Sequence, residues 1–178
     1  MILSDQEILN NVAKGTIIIE PFSRKCLGSN SYDVHLSCYL AVYESAILDA
    51  KTHNTTKEII IPAEGFVLQP GELYLGVTEE YTETHKHVPF LEGKSSIGRL
   101  GIDIHATAGK GDVGFCNHWT LEISVTKPVR VYAGMPIGQL IYFEVHGNVL
   151  KNYRDKDSAK YSTRNSHPLE SMMWKNNW

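Results

Sequence analysis

Three stretches of this chain concentrate residue types that chemistry needs. Glu92-Gly93-Lys94-Ser95-Ser96-Ile97-Gly98-Arg99-Leu100-Gly101 joins two cations and two hydroxyls to three glycines. Cations and hydroxyls donate to anionic oxygens, and glycines let backbone amides come close, which is what a polyphosphate requires. It is not a Walker A loop, because Val88 stands where that pattern needs a glycine. A solvated polar turn would have the same composition. The second stretch, His105-Ala106-Thr107-Ala108-Gly109-Lys110-Gly111-Asp112-Val113-Gly114-Phe115, ends a strand-like run in a charged, glycine-rich turn. Asp112 can accept from a sugar hydroxyl there. Taken alone, a glycine-flanked Asp more often bonds its own turn amides.

The third stretch is Trp119-Thr120-Leu121-Glu122-Ile123-Ser124-Val125. Leu121, Ile123 and Val125 share one strand face, which puts Glu122 on the other with Thr120 and Ser124. Facing a cleft, Glu122 would hold its proton more tightly and serve as a proton shuttle. Facing solvent, it would be an ordinary polar strand residue, and periodicity does not separate the two. The eight His include a His85/His87 pair and, near the glycine turns, His105 and His118. No HExxH, no HxE followed by PCxxC and no clear third ligand accompanies them, so ordinary hydrogen bonding is the better reading. Cys26, Cys38 and Cys116 are odd in number and lack a CxxC pair, which excludes a disulfide framework or a four-Cys zinc site. Tyr153, Tyr161, Trp174 and Trp178 suit either stacking on a base or anchoring a tail to a core.

The elements that must position these groups are mostly strands. One helix start is clear: Ser4 and Glu7 form a capping box, Leu3 and Ile8 staple it, and Gly15 stops it. The period then becomes two, with Val34, Leu36, Cys38, Leu40 and Val42 on one face. Further β-type runs are expected at 58–61, 65–68, 74–78, 101–106, 119–125, 129–132 and 139–145, divided by Pro- and Gly-containing turns. Many short strands and few helices predict an all-β sandwich or barrel. Residues 151–178 lose periodicity and become polar, an arm expected to order only against a substrate or another subunit.

With 178 residues and 42% apolar content, the whole chain, 1–178, fits one domain. Seventeen Lys and Arg against twenty Asp and Glu argue against a globally basic nucleic-acid binder. The longest uncharged stretch, 131–143, is broken by Gly134, Pro136 and Gly138, so no membrane span is expected. Asp5 and Glu7 fall where a signal peptide would be apolar. The expectation is a soluble, reduced, cytoplasmic protein.

Together these motifs resemble the dCTP deaminase family, a branch of the trimeric dUTPase-like superfamily. The resemblance spans Met1-Ile2-Leu3-Ser4-Asp5, Ser29-Asn30-Ser31-Tyr32-Asp33-Val34-His35-Leu36, and above all 92–143. There the segments 93–101, 105–115, Thr120-Leu121-Glu122 and Gly134-Met135-Pro136-Ile137-Gly138-Gln139-Leu140 match in order and spacing. The resemblance implies a mainly antiparallel, distorted jelly-roll or β-clip barrel with one short N-terminal helix. It implies an enzyme that hydrolyses dCTP to dUTP and ammonia, as a homotrimer with shared active sites, and with dTTP as inhibitor. Lys94, Ser95, Ser96 and Arg99, with the Ile97 and Gly98 backbone, would hold the triphosphate and its Mg²⁺. Asp112 would sit at the deoxyribose, and the backbone of Trp119, Thr120, Leu121 and Glu122 would read the pyrimidine. Gln139 would add a nucleotide contact, with Tyr153 and Lys160 closing from the arm. Glu122 would be the acid/base, with Ser95 and the Ala108 carbonyl placing the water, and no zinc taking part. Bifunctional relatives, which release dUMP and pyrophosphate, carry Gly and then a bulky residue after the Thr-Ala pair; deaminase-only relatives carry His-Arg. Gly109-Lys110 mixes the two, and dUTP release is the first expectation, with dUMP release as the alternative. A plain dUTPase and a non-catalytic nucleotide-binding regulatory module are further alternatives. In the arm, Arg164 replaces the Gln found in many relatives.

Overall fold

In the computed structural model, which describes residues 1–176, the chain opens as its caps dictate. Ser4 Oγ accepts the Glu7 amide at 3.3 Å and starts α1 (Asp5–Ala13). The reciprocal half of the capping box is replaced: the Glu7 carboxylate accepts from the Asn10 side chain at 2.9 Å. Leu3 and Ile8 are buried, and Gly15, with φ of +68°, turns the chain out of the helix.

Strands then follow almost without interruption: β1 (Ile17–Glu20), β2 (Tyr32–Tyr43), β3 (Thr56–Ile60), β4 (Phe66–Leu68), β5 (Tyr74–Thr84) and β6 (His87–Gly93). A single-turn helix, α2 (Ser95–Gly98), leads into β7 (Ile102–Asp103), β8 (Cys116–Val125), β9 (Val129–Val131) and β10 (Pro136–Glu144). The principal sheet runs β6-β10-β2-β5-β8-β7, with β1 added on β5 and β3 on β2, while β4 pairs with β9. All these pairings are antiparallel, and the sheet curls into a nearly closed barrel around Leu36, Leu40, Leu91, Leu121, Ile123 and Leu140. The register shifts between β2 and β5 at Leu36–Leu40 of β2, and between β5 and β8 at Val77–Tyr81 of β5, irregularities of the kind that bend a sheet toward closure. Inside that bend the buried Glu80 carboxylate accepts the His35 amide at 2.8 Å and lies 2.6 Å from His35 Nδ1.

The expected all-β barrel is thus observed, with four local corrections. Residues 101–106 pair only at β7, because the chain leaves the sheet there to make the glycine-rich turn. β6 escapes the sequence pattern because Pro89 breaks it; β6 tolerates a proline as an edge strand, and the Pro89 carbonyl still accepts the Gly111 amide at 2.9 Å. β1 escapes because it is four residues long. The arm does not wait for another molecule: it packs on the barrel of its own chain, with the Tyr153 amide on the Val113 carbonyl at 2.8 Å. Gly114 makes that crossing, because a Cβ there would sit 2.8 Å from Asn152 Cβ.

Among the described residues, no helix is long and apolar enough to cross a membrane.

Candidate active site

Strand order creates the site. β8 pairs with β5 along its length but with β7 only at Ser124 and Val125, so one edge of β8 over 117–122 has no strand partner. A cleft of about 670 Å³ opens beside it. Leu121 and Ile123 are fully buried in the barrel, and alternation turns Thr120 and Glu122 toward the cleft. Glu122 therefore faces a partly open cleft and is half-buried there.

Burial pushes the Glu122 pKa above the usual carboxylate range, opposed by the Ala106 amide and by nearby His105. The Ala106 N–H donates to Glu122 Oε2 at 3.4 Å. Ala108, Asp112, Trp119, Thr120 and Tyr153 line the same cleft, so six of the site residues expected from sequence converge. Asp112 behaves oppositely to Glu122: hydrogen bonds from Lys110 (2.7 Å) and Lys156 (2.9 Å) hold its pKa below the ordinary value. Two carboxylates in one cleft are thereby set to different proton affinities, the arrangement that separates an acid/base from a binding group. His118 also lines the cleft, and burial lowers its pKa, which favours neutral imidazole. The Trp119 N–H is not free to read a base, since it donates to Thr78 Oγ1 at 2.9 Å.

The glycines of the turn are sterically required. A Cβ on Gly109 would lie 2.6 Å from the Leu91 carbonyl oxygen, and one on Gly111 would lie 2.8 Å from the Trp119 ring. Bonds from Leu91 N–H to the Gly109 carbonyl and from Gly111 N–H to the Pro89 carbonyl fix the turn against β6.

Lys94, Ser95, Ser96, Ile97, Gly98, Arg99 and Gln139 form a second group that does not line the cleft. Lys94 precedes α2 and its ammonium pairs with Asp33; Ser95, Ser96, Gly98 and Arg99 are exposed, and buried Ile97 anchors the turn. Arg99 donates to Ser95 Oγ at 3.3 Å. Gln139 is opposite Asp33 and Glu92 in the ladder, on the same side of the sheet order as Lys94. Lys160 turns to the Asn176 side chain rather than to either group.

The arm roofs the cleft with Tyr153, Tyr161, Leu169, Glu170 and Ser171. Trp174 instead meets His53 edge-on with ring centres 5.7 Å apart, and Trp178 lies outside the described residues. Arg164 lies 4.0 Å over the Tyr81 ring and pairs with Glu20, so it braces the arm. Sequence reasoning named Tyr153 and Tyr161 in the arm but missed Asp33, Lys156, Leu169, Glu170 and Ser171. Lys156 and Asp33 carry a signal only through their partners' charge, which is invisible before the fold brings them together.

A family profile described as dCTP deaminase-like matches residues 2–145. The chain is 50% identical over 175 residues to a protein of Clostridium beijerinckii named dCTP deaminase, dUMP-forming, covering 98% of each chain. A protein of Cytophaga hutchinsonii with the same name is 50% identical over 161 residues, covering 90% of each. Among solved structures, a 2′-deoxycytidine 5′-triphosphate deaminase from Agrobacterium tumefaciens shares the fold, with TM-score 0.65 and 22% identity. That match covers 82% of this chain but 48% of the other, so this chain spans about half the length of that structure. A half-buried carboxylate in a strand-edge cleft, a glycine-tight turn beside it and near-full-length matches agree: the chain is an enzyme and belongs to the dCTP deaminase-like family.

Proposed function

We propose that this enzyme deaminates dCTP and then cleaves the triphosphate, releasing ammonia, dUMP and pyrophosphate. The observation that carries the deamination is the half-buried Glu122 carboxylate, raised in pKa and aimed into a cleft beside an unpaired strand edge. Water adds to cytosine C4 as Glu122 takes its proton; the same proton goes to the ring nitrogen. Glu122 then takes the proton of the new C4 hydroxyl and passes it to the amino group as the C4 carbonyl forms, the C4–N4 bond breaks, ammonia departs and uracil remains. Positioned acid–base catalysis of this kind supplies about 10²–10⁴-fold. Ala108 and Ser95 orient the water in this reading, Asp112 receives the sugar hydroxyl, and Thr120 to Glu122 offer backbone groups to the base.

Sequence alone puts dUTP release first, on the mixed Gly109-Lys110 pair. Relatives named dUMP-forming at about half identity favour the bifunctional alternative instead. Packing supports that change: Gly109 has no room for a side chain, and the Lys110 ammonium is engaged by Asp112 within the cleft. In the second step water attacks the α-phosphorus and the α–β bridging bond breaks, with pyrophosphate leaving.

Lys94, Ser95, Ser96 and Arg99 stand apart from the cleft in one chain. A homotrimer in which one subunit's α2 turn meets the neighbour's Glu122 cleft joins the two halves. Mg²⁺, a hard cation that takes oxygen ligands, would be carried on the phosphate oxygens. When bound, it would neutralise triphosphate charge. Thymidine triphosphate, with the same sugar and phosphates, would compete for the cleft.

The test is to incubate purified protein with dCTP and Mg²⁺ and resolve the products by ion exchange. Ammonia, dUMP and pyrophosphate in equal amounts are expected. Accumulating dUTP would restore the deaminase-only reading, and absence of turnover would leave a binding module.

A further inference from the structure

We propose that His118 is a catalytic residue of the second step, the general base that takes a proton from the water attacking the α-phosphorus. His118, Thr120 and Glu122 alternate along one face of β8, and all three line the cleft. His118 Nδ1 lies 3.0 Å from the Thr78 carbonyl oxygen. A carbonyl only accepts, so Nδ1 carries the ring proton and donates it. Nε2 of the neutral ring is then an acceptor with a bare lone pair. Among the described residues no hydrogen bond or ion pair engages it. The β5 backbone thus fixes the tautomer that a base requires.

The other groups of the cleft are less suited to this task. Asp112 is held ionised by Lys110 and Lys156, which makes it a weak base. Glu170 is paired with His53 at 3.0 Å, and Glu122 serves the deamination. Tyrosine hydroxyls and lysine ammonium groups carry their protons near neutral pH and do not act as bases there. Four residues span about 14 Å along a strand, so His118 and Glu122 are placed to act on different parts of one nucleotide. The sugar separates its base from its α-phosphate. Glu80, Arg164 and Tyr81 face the imidazole: the two charges act on it in opposite senses, and the Tyr81 ring meets it edge-on at 5.8 Å. Burial outweighs the Thr78 bond and holds the His118 pKa below the ordinary histidine value, so the ring is neutral near pH 7. As the water oxygen bonds to the α-phosphorus, Nε2 takes one of its protons. The α–β bridging P–O bond breaks, pyrophosphate leaves with the electron pair, and the imidazolium returns its proton to solvent.

This assignment rests on the dUMP-forming reading, and the test separates the two. His118→Asn keeps a donor for the Thr78 carbonyl and removes Nε2. With dCTP and Mg²⁺, wild-type enzyme should release pyrophosphate and ammonia in equal amounts. In His118→Asn the ratio of pyrophosphate to ammonia should fall about 100-fold as dUTP accumulates, within the range a positioned base supplies. With dUTP supplied directly, wild-type pyrophosphate release should decline in acid as His118 is protonated, at a midpoint below the ordinary histidine value. That limb should be missing from the residual rate of His118→Asn. An unchanged ratio in the variant, or a limb that survives in it, would overturn the role of His118 and leave the dUMP-forming reading standing. A wild-type profile without the limb would do the same. Wild-type enzyme that releases no pyrophosphate would overturn that reading and the assignment with it. Should His118→Asn fail to fold, His118→Gln takes its place and the same ratio decides.

Discussion

Glu122 holds its proton tightly because a half-buried carboxylate loses hydration, and one amide at 3.4 Å restores only part of it. Its pKa is higher in the folded than in the unfolded chain. Any stability it adds is present below the ordinary carboxyl range and is lost as pH rises through the raised folded value. Near neutral pH its charge is therefore a cost to folding. Glu122→Gln should lower deamination by about 10²-fold or more, yet denature in urea at the same concentration as wild type or higher. The acid limb of kcat should also lie above the usual carboxylate range, since Glu122 must be ionised to accept water's proton. Asp112, held ionised by Lys110 and Lys156, stays charged across that window and does not set the limb. A pH–rate profile of wild type beside Asp112→Asn distinguishes the two: the limb should keep its position in the variant.

At the scale of elements, the bend in β5 supports the floor of the site. Thr78 is fully buried; its hydroxyl donates to the Glu80 carbonyl at 2.9 Å and accepts the Trp119 amide at 2.9 Å. Thr82 Oγ1 accepts the Trp119 indole N–H at 2.8 Å, so two threonines of one strand fix the residue three positions before Glu122. Thr78→Val fills the same space but strands a buried N–H, costing about 1–3 kcal/mol in equilibrium denaturation, and Thr78→Ser should recover most of it. This support was not legible in the sequence. The alternation at Leu121, Ile123 and Val125 revealed the strand and the side on which Glu122 stands, because the period of two follows from backbone geometry. Whether that side meets water depends on β7 pairing at only two residues and on the arm beyond it, neither of which leaves a local pattern. Pro89 hid β6 for a similar reason: its missing N–H is harmless only on an edge, and edge position is a property of the whole sheet.

For the whole molecule, the separation of the α2 turn from the Glu122 cleft has a testable outcome. Glu122→Gln and Arg99→Ala subunits should each be inactive alone. Refolded together in equal amounts, they should recover about a quarter of wild-type turnover if each site takes one residue from either side of a cyclic interface. Recovery of nothing would place both groups in one chain. The blocks at 93–101 and 105–115 were legible as motifs, but their distance from one another in the folded chain was not, because sequence order says nothing of which subunit completes which site.

The arm over the cleft adds a consequence of a different kind. The family profile ends at residue 145, before most of the roof begins, so Glu122 belongs to the profile-matched barrel and the ceiling to the stretch beyond it. On the proposed reading, chemistry and admission are thus encoded in separate lengths of chain. On that reading, grafting a relative's arm onto this barrel should alter the KM for dCTP more than the pH dependence of deamination.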